Sequence, residues 1–251
     1  VMAAILMVIG MVVTQPEGLK QFTDVEHATE GLSEFMSTPF GLTVMLFPQL
    51  IFGGAAIFGG LVSPLPLTKR LGLLKPRLGL ASIVAAMVAT PFFGLVGFQL
   101  MMLTFGKPSE QVEEMSQMFT DAQGPIVLFM AVGISLFPGI SEELLFRGYV
   151  QQRLLARWTV IPAIVVSSLM FAAAHIDPAH SVAVIPLGLW LGVVAWMSGS
   201  IWPAMACHTA NNLLSVILAR SMGAEEMDNT WDLPSFVMLA ISGTAMLVSV
   251  Y

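Results

Sequence analysis

Charge is what this chain has least of. Of its 251 residues 10% are charged and 56% are hydrophobic, where a water-soluble domain carries roughly 25% charge to keep its surface wet. That shortage excludes an ordinary soluble globule and leaves a lipid-facing surface as the remaining way to cover a chain of this size. Cysteine is nearly absent too. The single Cys207 excludes an internal disulfide and any zinc cluster built on cysteines. The excess of acid over base, a net charge of −6, excludes the basic footprint of a nucleic-acid-binding protein. A repeat of fixed period and a low-complexity linker are both missing, so the chain reads as one membrane domain over 1–251.

What is present is a series of apolar runs, at about 1–13, 40–62, 81–105, 125–146, 159–175, 182–199, 201–219 and 234–251. A spanning helix needs roughly 20 apolar residues, so the pattern predicts an all-α, polytopic bundle of about eight transmembrane helices. The runs 159–175 and 182–199 are short for this, and 1–13 is too short to cross alone. The chain does not begin with Met, and no basic segment or cleavage site marks a signal peptide. A truncated N-terminus is therefore expected. The 22 Gly suit close helix approach in a bilayer.

The loops alternate in sign. Segments 14–39, 106–124 and 220–233 are acidic, whereas 63–80 holds Lys69, Arg70, Lys75 and Arg77 without an acid, and Arg147, Arg153 and Arg157 follow one another. The excess of positive charge in cytoplasmic loops places 63–80 and 147–158 inside. The style of the short loops points to a bacterial inner (plasma) membrane.

Ionisable side chains within a membrane span are costly and mark function by default. Three segments carry them: Gly139-Ile140-Ser141-Glu142-Glu143-Leu144-Leu145-Phe146-Arg147-Gly148, Phe171-Ala172-Ala173-Ala174-His175, and His208-Thr209-Ala210-Asn211-Asn212. On a helix, Glu143 and Arg147 share a face, as do His208 and Asn212, while Glu142 points about 100° away from Glu143. Glu143 with Arg147 thus reads as a supporting ion pair and Glu142 as the acid free for chemistry. If the runs at 125–146 and 159–175 form a hairpin turning near Trp158, Glu142 and His175 lie at one depth, roughly 25 Å from the turn at 1.5 Å per residue. This requires the helix to continue through Arg153. His208 fits less well, because it follows the short connection Ser198–Ser200 so closely that the connection must be recessed. Cys207 reads as an apolar filler, His180 as a solvated loop residue near the outer entrance, and Phe171, Trp190, Trp196 and Trp202 as packing or interface residues.

The three segments resemble the motifs of the CPBP intramembrane proteases, which include the type II CAAX prenyl endopeptidases and the bacterial Abi, or bacteriocin-immunity, proteins. The first motif is met by Glu142, Glu143 and Arg147 with Gly148 following, the second by Phe171 and His175, the third by His208 and Asn212. The resemblance covers 125–219 as a catalytic core. It implies peptide-bond hydrolysis within the membrane. Glu142 is then the base that activates water with help from His175, while His208 and Asn212 polarise the scissile carbonyl or hold the oxyanion. A metal is left open. Glu142, His175 and His208 are candidate ligands for Zn2+ with an open fourth position, and a glutamate and a histidine acting alone are the other version, there being no HExxH segment. The implied partners are the lipid bilayer and a membrane-associated protein or peptide substrate, with no nucleic acid. Two other classes compete. A non-catalytic scaffold or immunity protein of the same family needs neither Glu142 nor His175, and a proton relay or transporter is disfavoured by the lack of inverted repeats.

Overall fold

The computed structural model describes residues 46–108, 113 and 124–226; the apolar runs at 1–13 and 234–251 and the acidic segments at 14–39 and 227–233 lie outside them. Every regular element among the described residues is helical. In chain order they are α1 (Phe47–Leu61), α2 (Leu67–Arg70), α3 (Leu80–Phe105), α4 (Pro125–Glu143), a π-helical segment (Leu144–Gln151), α5 (Gln152–Leu155), α6 (Val160–Ala173), α7 (Pro178–Ser198) and α8 (Trp202–Glu226).

Among the described residues, three helical stretches are long and apolar enough to cross a membrane: Leu80–Phe105, Val127–Leu155 and Pro178–Ser198. The protein is accordingly an integral membrane protein. The remaining runs do not all yield spans. Helices α1 and α6, with 15 and 14 residues, reach only about 21–23 Å at 1.5 Å per residue, short of a hydrocarbon core of roughly 30 Å. Helix α8 has 25 residues but spends a turn of its first half on the polar stretch His208–Asn212. Among the described residues, three long helices and a set of shorter ones packed among them account for the apolar runs; the first and last of the eight expected spans lie outside those residues.

The core lies between α3, α7 and α8, where Ala86, Ala89, Leu187, Trp190, Leu191, Val194 and Cys207 form one buried cluster. Trp190 donates its indole N–H to Thr90 Oγ1 at 3.0 Å and stacks on Phe93. Close approach of α3 and α7 depends on Gly97, because a Cβ there would run into the Ala183 carbonyl. Cys207 has no exposure, as a small apolar filler should.

The helix that starts at Pro125 does run on through Arg153, ending at Leu155, and the chain reverses before α6 around Trp158. Both basic segments gather at that end. Ile201 N donates to Gly72 O (3.0 Å), Arg77 N to Ser198 O (2.8 Å), and Ser200 Oγ to Leu74 O (2.7 Å), while a Cβ on Gly148 would sit 2.8 Å from Leu71 O. The connection Ser198–Ile201 is consequently buried under the segment Leu71–Arg77. The connection that leads to the His208 helix is thus enclosed by protein, as the position of His208 requires, while Trp202 at the helix start stays exposed.

Candidate active site

Glu142 and Glu143 close α4, and the backbone then changes to π geometry for eight residues. Such segments are uncommon and tend to occur at functional sites. Side chains from this one reach across to its neighbours. Arg147 Nη2 donates to Gly188 O (2.9 Å), Gln151 Nε2 donates to Gly192 O (2.9 Å), and the Phe146 carbonyl accepts from Ser167 Oγ (2.8 Å). Gly188 and Gly192 permit the first two contacts, since a Cβ at either would press on the Ser168–Phe171 face of α6 or on Gln151.

The pair inferred from spacing is present. Arg147 Nη1 lies 2.6 Å from Glu143 Oε1, with both side chains fully buried, and the guanidinium stands 4.4 Å over the Phe171 ring. The same Glu143 oxygen is also 2.9 Å from His208 Nδ1. Glu143 is therefore more than half of an ion pair: it tethers the imidazole of α8. Held by Arg147, the carboxylate accepts from Nδ1–H and turns the other ring nitrogen outward, as a second carboxylate does for many functional histidines. That nitrogen, Nε2, faces Glu142 Oε2 at 3.9 Å. The distance is too long for a direct hydrogen bond and suits one small bridging molecule. Glu142, 6% exposed, faces neither lipid nor bulk solvent.

Gly139 sets this approach. A Cβ there would collide with the Thr209 hydroxyl and come within 3.0–3.2 Å of the Thr209 backbone. Glycine one turn before Glu142–Glu143 lets α8 touch α4 at the residue next to His208.

His175 is expected at the level of Glu142 by counting along two antiparallel helices, and the structure sets it just past the end of its helix. Helix α6 ends at Ala173, so His175 sits in the turn that follows, not on the helix face. Its Nδ1 is 3.1 Å from Phe171 O, and it makes no ion pair with either glutamate. The two imidazoles share a neighbour in Phe171, whose ring lies 5.1 Å from the His175 ring and 5.8 Å from that of His208, edge-on to each. His180 is not a solvated loop residue. It occupies the first turn of α7, which Asp177 caps through the N–H groups of Ala179 and His180, and its ring packs 4.6 Å from that of His175. Its Nδ1 is buried without a hydrogen-bond partner. Asn212, half-buried one turn beyond His208, makes no side-chain hydrogen bond within the described residues, while Asn211 is directed at Gly94 of α3.

As arranged, no three His, Cys, Asp or Glu side chains among the described residues come together as a metal site. Each imidazole has its Nδ1 engaged, His208 by Glu143 and His175 by the Phe171 carbonyl, and keeps Nε2 available, an engagement common to metal-ligating and acid–base histidines.

Two residues of the site escaped the sequence reading. Gln49 of α1 donates to Glu142 Oε1 at 2.9 Å, and Ser141 Oγ lies 2.5 Å from Gln49 Oε1. The signal was an amide in the otherwise apolar run 40–62. A search confined to ionisable groups passes over it.

Residues 124–214 match the family model described as type II CAAX prenyl endopeptidase Rce1-like. Neither a curated protein nor a solved structure matches the chain. The matched stretch contains all three motifs, from Glu142 to Asn212, and stops short of Gln49. Over residues 124–214, then, the chain is similar to the Rce1-like type II CAAX prenyl endopeptidases, a protease family of the CPBP kind that the motifs resemble.

Proposed function

We propose that the protein is an intramembrane endopeptidase in which Glu142 activates the attacking water. The observation that carries this is the buried opposition of Glu142 Oε2 and His208 Nε2 at 3.9 Å, with the imidazole locked from behind by Glu143 and Arg147. A water between them directs one hydrogen to the carboxylate and the other to Nε2. As its oxygen adds to the scissile carbonyl, Glu142 takes one proton. When the C–N bond breaks, Glu142 returns that proton to the leaving amine. The Asn212 amide, on the face of α8 shared with His208, is the donor assigned to the oxyanion, where preorganised dipoles contribute most. His175, with Nδ1–H given to Phe171 O, keeps Nε2 as an acceptor and is assigned to hold the water or substrate on the Phe171 side. No step uses a metal. The substrate class is a membrane-associated protein or peptide, and the setting a bacterial inner membrane.

The test uses the full chain in proteoliposomes with a quenched fluorescent peptide ending in a farnesylated CAAX sequence, beside the same peptide without the lipid. Glu142→Gln is expected to lower cleavage about 10²–10⁴-fold, the usual contribution of general acid–base catalysis, with melting unchanged. A variant that cleaves like wild type refutes the assignment of Glu142, and with it the protease reading of this site, leaving a non-catalytic relative.

A further inference from the structure

We infer that Gln49, on a helix outside the stretch matched by the protease family, is a positioning residue for the Glu142 carboxylate. The inference rests on Glu142 being the base. Gln49 Nε2 donates to Glu142 Oε1 at 2.9 Å, and its carbonyl oxygen accepts from Ser141 Oγ at 2.5 Å. Ser141 also lies 2.7 Å from Phe137 O. Its single hydroxyl proton serves one acceptor at a time, and when given to Gln49 it fixes which way the amide faces. The carbonyl side is then taken by the hydroxyl, so the NH2 side meets the carboxylate.

The consequence is a division of labour between the two oxygens of Glu142. Oε1 is tied to α1, and Oε2 is the one that faces His208 Nε2. An untied carboxylate turns about its last bond and presents either oxygen. The tied one holds a single oxygen and a single plane toward the water position. Placement of reacting groups to within a fraction of an ångström is what such tethers supply, and a displacement of about 1 Å costs on the order of 10²-fold in rate.

Helix α1 is seated for this purpose. Gly53, one turn beyond Gln49 on the same face, would place a Cβ 3.6 Å from Ser141 Cβ, so the two helices meet backbone to side chain at the residue before Glu142. Phe52 packs edge-on against Phe146 at 5.9 Å, and Gly59 makes room for Tyr149. The contact therefore continues along α4 and the π segment.

An amide that merely glues two membrane helices contributes to stability and leaves turnover per folded molecule alone, so the experiment separates the two roles. Gln49→Met, similar in length and without donors, is compared with wild type, Ser141→Ala and Glu142→Gln in proteoliposomes on the farnesylated peptide. Gln49→Met is expected to lower kcat about 10–100-fold with KM within twofold, Ser141→Ala to do less in the same direction, and the double variant to be no slower than Gln49→Met alone. A second reading needs no turnover. The infrared carboxylate stretch that Glu142→Gln removes is expected to shift in Gln49→Met. An unshifted band, or kcat within twofold of wild type, overturns the inference. If Glu142→Gln abolishes cleavage while Gln49→Met does not, Glu142 remains the base and only the tether is lost. Full cleavage by Glu142→Gln removes both.

Discussion

Replacing Arg147 with Met tests the buried electrostatics on which the site is built. Arg147 and Glu143 are both 0% exposed, 2.6 Å apart. Methionine fills much of the space but leaves the Glu143 carboxylate without its cation, keeping only the imidazole of His208 at 2.9 Å. Removing one partner of a buried pair costs about 3–5 kcal/mol, because the charge left behind is uncompensated. The contacts of the guanidinium with Gly188 O and the Phe171 face are lost as well. For a chain of this size each kcal/mol moves Tm by roughly 2–4 °C, so Arg147→Met should melt about 6–20 °C below wild type. The protein carries its own reporter: Cys207 is the single cysteine and has no exposure, so a thiol-reactive fluorogenic maleimide reads unfolding directly. Adding Glu143→Gln to Arg147→Met should recover a large part of the loss, since the stranded charge is gone. A single variant that melts within 1 °C of wild type, or a double variant less stable than the single one, would refute the reasoning.

Two further substitutions probe the framework. Gly139→Ala should lower both stability, by about 1–3 kcal/mol as overpacking does, and peptide cleavage, because the added carbon meets Thr209 beside His208; unchanged kcat would show that the α4–α8 approach does not set the site. Ile176→Gly should raise Tm by a few degrees. Ile176 has φ 67° and is 86% exposed, so glycine relieves a left-handed conformation that costs an L-residue roughly 1–2 kcal/mol and forfeits almost no burial, an effect the same maleimide assay resolves. A drop in Tm would mean that the isoleucine side chain makes a stabilising contact.

The match between sequence and structure differs from feature to feature for physical reasons. The Glu143–Arg147 pair was legible because an i, i+4 spacing needs only local helix geometry, and it forms. The continuation of the helix that starts at Pro125 through Arg153 and the reversal at Trp158 were legible from the apolar runs. The second role of Glu143 was not, because His208 is 65 residues away and only the approach of α8 brings it in. His175 was placed on a helix face by counting, yet α6 stops two residues earlier and turns through Ile176. His180 was read as loop, although Pro178 and the Asp177 cap begin a helix there.

Composition by itself determined that this is a helical membrane protein, and motif order pointed to an acid–histidine cluster similar to that of the protease family, because burying charge in lipid is so costly that the few polar residues must gather where they act. Which groups face one another was decided by tertiary structure alone. The buried Ser198–Ile201 connection, the glycine contacts at 139, 148, 188 and 192, and the arrival of Gln49 from α1 are long-range packing events. Side-chain spacing along one helix contains no information about the helix opposite.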